Sequence, residues 1–294
     1  MRPTATLDAR ISKPEADVVR EAILRLRSLP ASLAVAQNAL DRMHDEFCTN
    51  DRLQSILSND PASAAGLLRL ANSPYFGVGT RVRTLSAAIT VVGHERLQTL
   101  LRHLIFGRLF EAIRPDLGVA RCLRDRALAS GVVCNEIGRL SPQDDADELR
   151  IAGLVYNVGE MALACELPTL YERACVLAES RPPEEAVFQV FRVDYQTISG
   201  WLLEAWRFPQ VYVEAVSHRA EPEAPSPTPG AARYIRTVHI AAALAQAWRQ
   251  EESEEDASAG ISEAALQLLC LTQADVRRIY SLLSTGVEQL RNAM

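Results

Sequence analysis

The chain has 294 residues, of which 48% are hydrophobic and 23% charged, so it can bury a substantial core and is not disordered overall. It has no apolar run long enough to cross a bilayer, and its first residues lack the apolar core of a signal peptide. These features exclude a membrane-spanning protein and lead us to expect a cytoplasmic one without membrane contact.

The net charge of -6 is unevenly distributed along the chain. Residues 1–140 hold 19 basic and 14 acidic side chains, whereas residues 141–294 hold 12 and 23. This polarity is too diffuse for nucleic-acid binding, which usually needs a concentrated basic face. The six cysteines form no CxxC pair and several lie among apolar residues, so we expect reduced, buried thiols and no zinc site or disulfide framework.

The apolar spacing predicts helices almost throughout. In LRLRSLPASLAVAQNALDRM, Pro30 separates two helices. Asp60 is placed as an N-cap before Pro61 at a first helical position, and the next helix begins at the cap Thr84 and ends at Gly93. Further periodic segments follow at 94–113, 119–140, 148–165, 168–180, 184–192, 195–206, 210–219, 231–250 and 262–291. No convincing span alternates as a strand does, so the sequence predicts an all-α fold.

Four polar or Pro-rich segments separate these helices, at 77–83, 141–148, 221–230 and 251–260. The charge balance changes near residue 115. We therefore predict four regions: an N-terminal extension at 1–21, a helical subdomain at 22–115, a second helical subdomain at 116–250, and an acidic linker with C-terminal helices at 251–294.

Two pairs of segments carry a family resemblance. The first is ILSNDPASAAGLLRLANSPYFG (56–77) with TLSAAITVVG (84–93), and the second is AGLVYNVGEMAL (152–163) with VDYQTISGWLLEAWRFPQVYVEAVSHR (193–219). In this order they resemble the HDOD family, the HD-related output domain of bacterial signalling proteins. LPASL (29–33) also fits that family's opening LPxLP pattern, without its second Pro. The resemblance implies an N-terminal helical bundle packed on a degenerate relative of HD-type phosphohydrolases.

The resemblance also implies where an HD enzyme would hold its metal ion. The His-Asp pair falls on Tyr156 and Asn157, and an upstream His falls near Ala129. The remaining positions, two histidines and a final aspartate, fall on Tyr195, on His218 and near Ala242.

These residue types are poor metal ligands. A neutral tyrosine, with its usual pKa near 10, binds a hard divalent ion weakly at neutral pH. Asparagine offers an uncharged carbonyl oxygen, alanine offers nothing, and one imidazole at His218 cannot hold a catalytic metal alone. Three of the other histidines lie in the N-terminal half, which leaves His239 as the one further candidate. We therefore predict no metal, no cofactor and no phosphohydrolase activity.

Two interpretations of these positions stay open. Tyr156 and Asn157 are favoured as polar groups of a helix core that find hydrogen-bond partners. In the alternative, a pocket lined by Tyr156, Asn157, Tyr195 and His218 accepts a small molecule. His218 itself is expected at a surface or helix end.

The segment ANSPYFG predicts a helix end, because Asn72 and Ser73 can bond free backbone groups and Pro74 stops the helix. We favour Tyr75 and Phe76 as rings that fill the bundle core. The alternative is an exposed aromatic docking site beside a loop with two arginines. The candidate docking set comprises Asn72, Ser73, Pro74, Tyr75, Phe76, Gly77, Arg81 and Arg83.

Three functions follow as hypotheses. The leading one is a non-catalytic bacterial regulatory module that binds a protein partner, with a small effector as a further ligand. The second is a divergent metal-dependent phosphohydrolase or phosphodiesterase, and the third is a nucleotide sensor without hydrolysis. The amphipathic C-terminal segment VRRIYSLLSTGVEQL is predicted to close the fold or to pair with a second copy in a homodimer.

Overall fold

The structure, a computed structural model, describes residues 19–21, 31–43, 48–59, 61–72, 82–94, 96–98, 100–101, 117–141, 146–206 and 208–293. Over these ranges every regular element is a helix and no strand occurs, so the predicted all-α class is confirmed. Within the same ranges no helix is long and apolar enough to cross a membrane.

The first group of helices forms a core of its own. Its members are α1 (Ala31–Met43), α2 (Asn50–Ser58), α3 (Pro61–Ala71) and α4 (Leu85–Val92). Leu53, Leu57 and Leu67 are fully buried in the cluster that these helices share. The predicted limits of α4 are correct, because the Thr84 side chain accepts a bond from the Ala87 N–H and Gly93 ends the helix at φ 77°.

The second group of helices follows without strands between them. Its members are α5 (Leu117–Arg139), α6 (Ala146–Val155), α7 (Val158–Glu166), α8 (Pro168–Ala178), α9 (Pro183–Phe191), α10 (Tyr195–Ala205), α11 (Gln210–Ser217), α12 (Ala231–Arg249), α13 (Glu254–Ala257), α14 (Glu263–Leu268), α15 (Gln273–Ser281) and α16 (Leu283–Ala293).

Two predicted segments are divided in the structure. The segment 148–165 is broken at Tyr156 and Asn157, where Asn157 has the non-helical φ, ψ of -109° and 17°. The segment 262–291 contains α14, α15 and α16, because Ser262 and Thr272 cap new helices with their side chains. The apolar period continues across both sets of boundaries, so it could not reveal them.

The long helix α5 lies at the centre of the second group, with α6, α12 and α16 packed along it. Gly153 allows α6 to approach, since a Cβ there would lie 2.5 Å from the Ser130 carbonyl oxygen. The last helices join the same core through buried residues such as Ile279 and Leu283. Arg20 lies over the Trp201 ring at 5.4 Å, so the described part of the N-terminal extension contacts this group. The predicted domain limits stay a prediction.

Candidate functional site

A cavity of about 1210 Å³ lies in the second group of helices. Its wall takes Arg126 from α5, Glu160 from α7 and Tyr195 from α10. The helix α12 contributes His239 and its small neighbours, and further lining residues come from α8, α9, residues 219–220 and residues 250–260. The helices that carried the predicted metal positions therefore do meet around a space that can hold a ligand.

The structure brings together half of the six positions assigned by the HD resemblance. Tyr156, Tyr195 and Ala242 line the cavity. The other three do not line it: Ala129 and Asn157 are fully buried, and His218 is an exposed residue that ends α11. The expectation that His218 lies at a surface or helix end is confirmed.

The junction between α6 and α7 fixes the two residues at the His-Asp positions. The side-chain amide of Asn157 donates to the Leu123 carbonyl oxygen on α5 at 2.8 Å. Asn157 therefore joins two helices in the core through its amide nitrogen, whereas its Oδ1 has no hydrogen-bond partner among the described residues. Tyr156 is 1% exposed and reaches the cavity, where its hydroxyl lies within reach of the Arg126 guanidinium and donates to no described acceptor in good alignment.

A buried ion pair lies beside Tyr156. One terminal nitrogen of Arg126 donates to both carboxylate oxygens of Glu160, at 3.0 and 3.1 Å, and the Tyr171 hydroxyl donates to the same carboxylate at 3.0 Å. Burial opposes the charge of Arg126, but the attraction of Glu160 prevails and the pKa of Arg126 is raised. Burial and the negative charge of Glu160 raise the pKa of Tyr171 and Tyr195. These phenols are therefore neutral hydrogen-bond donors near pH 7.

A second guanidinium faces the same space without a carboxylate. The Cζ of Arg219 lies 5.4 Å from the centre of the Tyr156 ring, and its terminal nitrogen donates to the Val216 carbonyl oxygen at 3.2 Å. Among the described residues, Arg219 forms no ion pair. Burial lowers the pKa of Arg219, and repulsion by Arg126 acts in the same direction.

His239 uses both ring nitrogens in backbone bonds. The Ser262 N–H donates to Nε2 at 3.1 Å, so the proton lies on Nδ1, which donates to the Arg219 carbonyl oxygen at 2.9 Å. Burial lowers the pKa of His239. The ring is thus held neutral and positions the backbone of Arg219, with no lone pair available for a metal ion.

A second acidic residue of the cavity wall, Asp194, is also engaged. Asp194 caps α10 by accepting a bond of 2.6 Å from the Thr197 N–H. Within the described ranges, no three side chains of His, Cys, Asp or Glu converge closely enough to share a metal ion.

Comparison with known proteins places this geometry in a family. The HDOD domain family model matches residues 29–222, which is more than half of the chain. The chain belongs to the HDOD family. This confirms the resemblance drawn from the sequence.

Solved structures share the HDOD fold over nearly the whole chain. A candidate phosphohydrolase from Shewanella amazonensis superposes with a TM-score of 0.69 at 18% identity, covering 94% of this chain and 98% of that one. An HDOD domain protein of unknown function from Geobacter sulfurreducens gives 0.68 at 15% identity, covering 95% and 98%. A candidate signal transduction protein from Marinobacter aquaeolei gives 0.67 at 18%, covering 98% and 67%. At these identities the likeness shows the fold alone.

A curated relative extends the comparison at the sequence level. An uncharacterized protein of Treponema pallidum is 24% identical over 201 residues, which cover 67% of this chain and 38% of the relative. The chain thus corresponds to less than half the length of that protein.

The HDOD motif at the end of α3 is partly described. The Asn72 amide donates to the carbonyl oxygens of Leu68 and Val82, both at 2.7 Å, and the Asn72 Oδ1 accepts from the Val82 N–H at 2.8 Å. Asn72 therefore ends α3, as predicted, and also holds the chain that enters α4. Arg83 is exposed. The rest of the candidate docking set lies outside the described residues: Ser73, Pro74, Tyr75, Phe76, Gly77 and Arg81.

Sequence reasoning missed the charged residues of the cavity. Arg126, Glu160 and Arg219 were not named, and His239 was named only as a remaining imidazole. One signal was available: Glu160 is the only charge in the apolar stretch VGEMALA, and Arg126 precedes Ala129 by one helical turn on the same face. No local pattern marks Arg219, because its neighbour Tyr156 is distant in sequence.

Proposed function

We propose that this HDOD protein is a regulatory module of bacterial signal transduction that binds a protein partner and has no phosphohydrolase activity. The observation that carries the proposal is that three potential metal ligands of the cavity wall already have hydrogen-bond partners. Glu160 is bound to Arg126 and Tyr171, Asp194 caps α10, and both nitrogens of His239 are bonded. A catalytic ion needs free imidazole or carboxylate ligands and an open position for water.

The tyrosines support the same proposal. A tyrosine must lose its proton to bind a metal ion well, and the pKa of both Tyr156 and Tyr195 is raised, first of all by burial. At neutral pH they offer neutral hydroxyls. These groups can bind a ligand by hydrogen bonds, but they cannot replace the imidazole and carboxylate of an HD pair.

Metal analysis and activity assays test the absence of catalysis. Purified protein is incubated with Mn²⁺, Fe²⁺, Mg²⁺ or Zn²⁺, desalted, and assayed for bound metal and for hydrolysis of cyclic dinucleotides and nucleoside phosphates. We expect substoichiometric metal and no turnover above a heat-denatured control. Stoichiometric metal with turnover that disappears in Asp194→Asn or His239→Gln would establish the divergent phosphohydrolase instead.

Partner capture tests the regulatory role. Tagged protein is used to isolate partners from its source bacterium, and the exposed Arg83 beside the HDOD motif is compared with a matched surface arginine, Arg249. We expect a partner retained by wild type and by Arg249→Glu but reduced in Arg83→Glu, because a charge reversal at a docking face repels an acidic partner. Equal retention by both variants would exclude this face.

A further inference from the structure

Among the residues that the structure describes, Arg219 has a backbone hydrogen bond and a ring contact but no carboxylate partner. Its guanidinium lines the cavity and lies against the Tyr156 ring. A partly buried charge without a counter-charge is costly, and natural structures rarely retain one unless something else compensates it.

Further donors point into the same region. The Tyr156 hydroxyl, on a side chain only 1% exposed, lies within reach of the Arg126 guanidinium, which can donate to its oxygen, and no acceptor among the described residues is aligned with the hydroxyl proton. Both residues line the cavity together with Arg219. All three groups are donors at neutral pH, so what the site lacks is an acceptor that carries negative charge.

The acidic residues of the wall limit how much charge that acceptor carries. Glu160 and Asp194 are already engaged by Arg126 and by the N-terminus of α10. Three further carboxylates, Glu184, Glu252 and Asp256, line the cavity and are exposed. They repel a polyanion entering from solvent, so a compact anion fits better than a polyphosphate.

We propose that the cavity binds a small oxyanion with the charge of a phosphate monoester, held by Arg219 and by the Tyr156 hydroxyl. The volume of about 1210 Å³ leaves room for the organic part of such a molecule beside Tyr195 and Ala242. This inference rests on the proposed function, since it requires that no metal ion fills the centre of the cavity.

Binding of defined probes tests the inference. Inorganic phosphate, succinate and pyrophosphate are titrated calorimetrically, and each is also added in thermal unfolding at up to about 50 mM, against sodium chloride of equal ionic strength. We expect phosphate to raise the unfolding midpoint above the salt control and to bind more tightly than pyrophosphate. Stabilisation by succinate alone would identify the oxyanion as a carboxylate. No stabilisation by any probe, or tighter binding of pyrophosphate, would overturn the proposal.

Variants of Arg219 separate a ligand contact from a structural one. We expect Arg219→Gln to weaken phosphate binding about tenfold or more, since a charge-assisted bond is lost. The exposed Arg249→Gln is the matched control and should bind as wild type. Without ligand, Arg219→Gln should unfold at or above the wild-type midpoint, whereas a purely structural arginine would lower it. Unchanged phosphate affinity in Arg219→Gln would refute the assignment.

Two further measurements keep the test decisive. If Arg219→Gln does not fold, Arg219→Lys retains the charge without the planar donor pair, and we expect a severalfold loss of phosphate affinity; wild-type affinity would refute the role of the guanidinium. Metal-dependent hydrolysis of a phosphate ester would contradict the proposed function. Absence of oxyanion binding by the wild-type protein, without such hydrolysis, would contradict this inference alone.

Discussion

Removal of the Glu160 carboxylate should destabilise the second group of helices strongly. In Glu160→Ala, Arg126 loses both of its bonds to Glu160 and the Tyr171 hydroxyl loses its acceptor. The side chains of Arg126 and Glu160 are 18% and 9% exposed, so the orphaned charge has little water around it. Breaking a buried pair by removing one partner costs about 3–5 kcal/mol. Because Arg126 borders the cavity, we expect about 3 kcal/mol.

Urea unfolding followed by circular dichroism measures this loss, with the slope m showing whether unfolding stays two-state. The corresponding fall in the thermal midpoint is roughly 6–12 °C for a unit of this size. Glu172→Ala, at an exposed position of α8, is the control and should change stability by no more than about 0.5 kcal/mol.

A double substitution shows whether the orphaned charge causes the loss. In Arg126→Met with Glu160→Ala the charge orphaned by the single substitution is gone, so the double variant should be more stable than Glu160→Ala alone. A loss below about 1 kcal/mol in Glu160→Ala, or simple additivity of the two substitutions, would refute this reasoning.

Three other predictions follow from the same contacts. His239 has a lowered pKa in the folded protein, so the unfolded chain binds the extra proton first as the pH falls. The free energy of unfolding should therefore decrease below about pH 6.5, and it should decrease less steeply in His239→Gln. An equal pH dependence of the two proteins in urea unfolding would contradict this. Asn72→Ala should cost about 1–2 kcal/mol, because three bonds are lost, whereas Asn59→Ala at the end of α2 should be nearly neutral by the same assay. Gly159→Ala should destabilise the fold by about 1–3 kcal/mol and lower the thermal midpoint, since a Cβ would lie 2.6 Å from the Ser199 nitrogen. Gly118→Ala, where a Cβ would enter open space, should leave the midpoint unchanged.

The parts of the fold that the sequence predicted well depend on local contacts. Thr84 and Gly93 bound α4 through bonds to residues within one turn, so their pattern is visible in the sequence. The same holds for Asn72, whose bond to Leu68 ends α3. Helix class and caps therefore follow from composition, spacing and a few turn residues.

The parts that the sequence did not predict depend on contacts between distant residues. The break between α6 and α7 occurs where Asn157 bonds to Leu123 on α5, and the apolar period shows nothing of this. The cavity's charges are similar, since Glu160 acquires its role only when Arg126 lies beside it. Three of the positions that the resemblance assigned line the cavity, but the resemblance did not point to the charged residues of its wall.

The positive charge in this cavity has consequences that differ from those of a metal ion. Arg219 lies over the ring at the first HD position, and Arg126 is one turn before Ala129, near where the resemblance put an upstream ligand. A guanidinium has only donors and no open coordination site, so it can hold an oxyanion but cannot lower the pKa of a bound water to make a nucleophile. Under the two proposals above, the residue types that would not support hydrolysis are the ones that would retain an anion. If both proposals are correct, binding without turnover is a single property of this HDOD cavity, and an effector that stays bound is what a regulatory module requires.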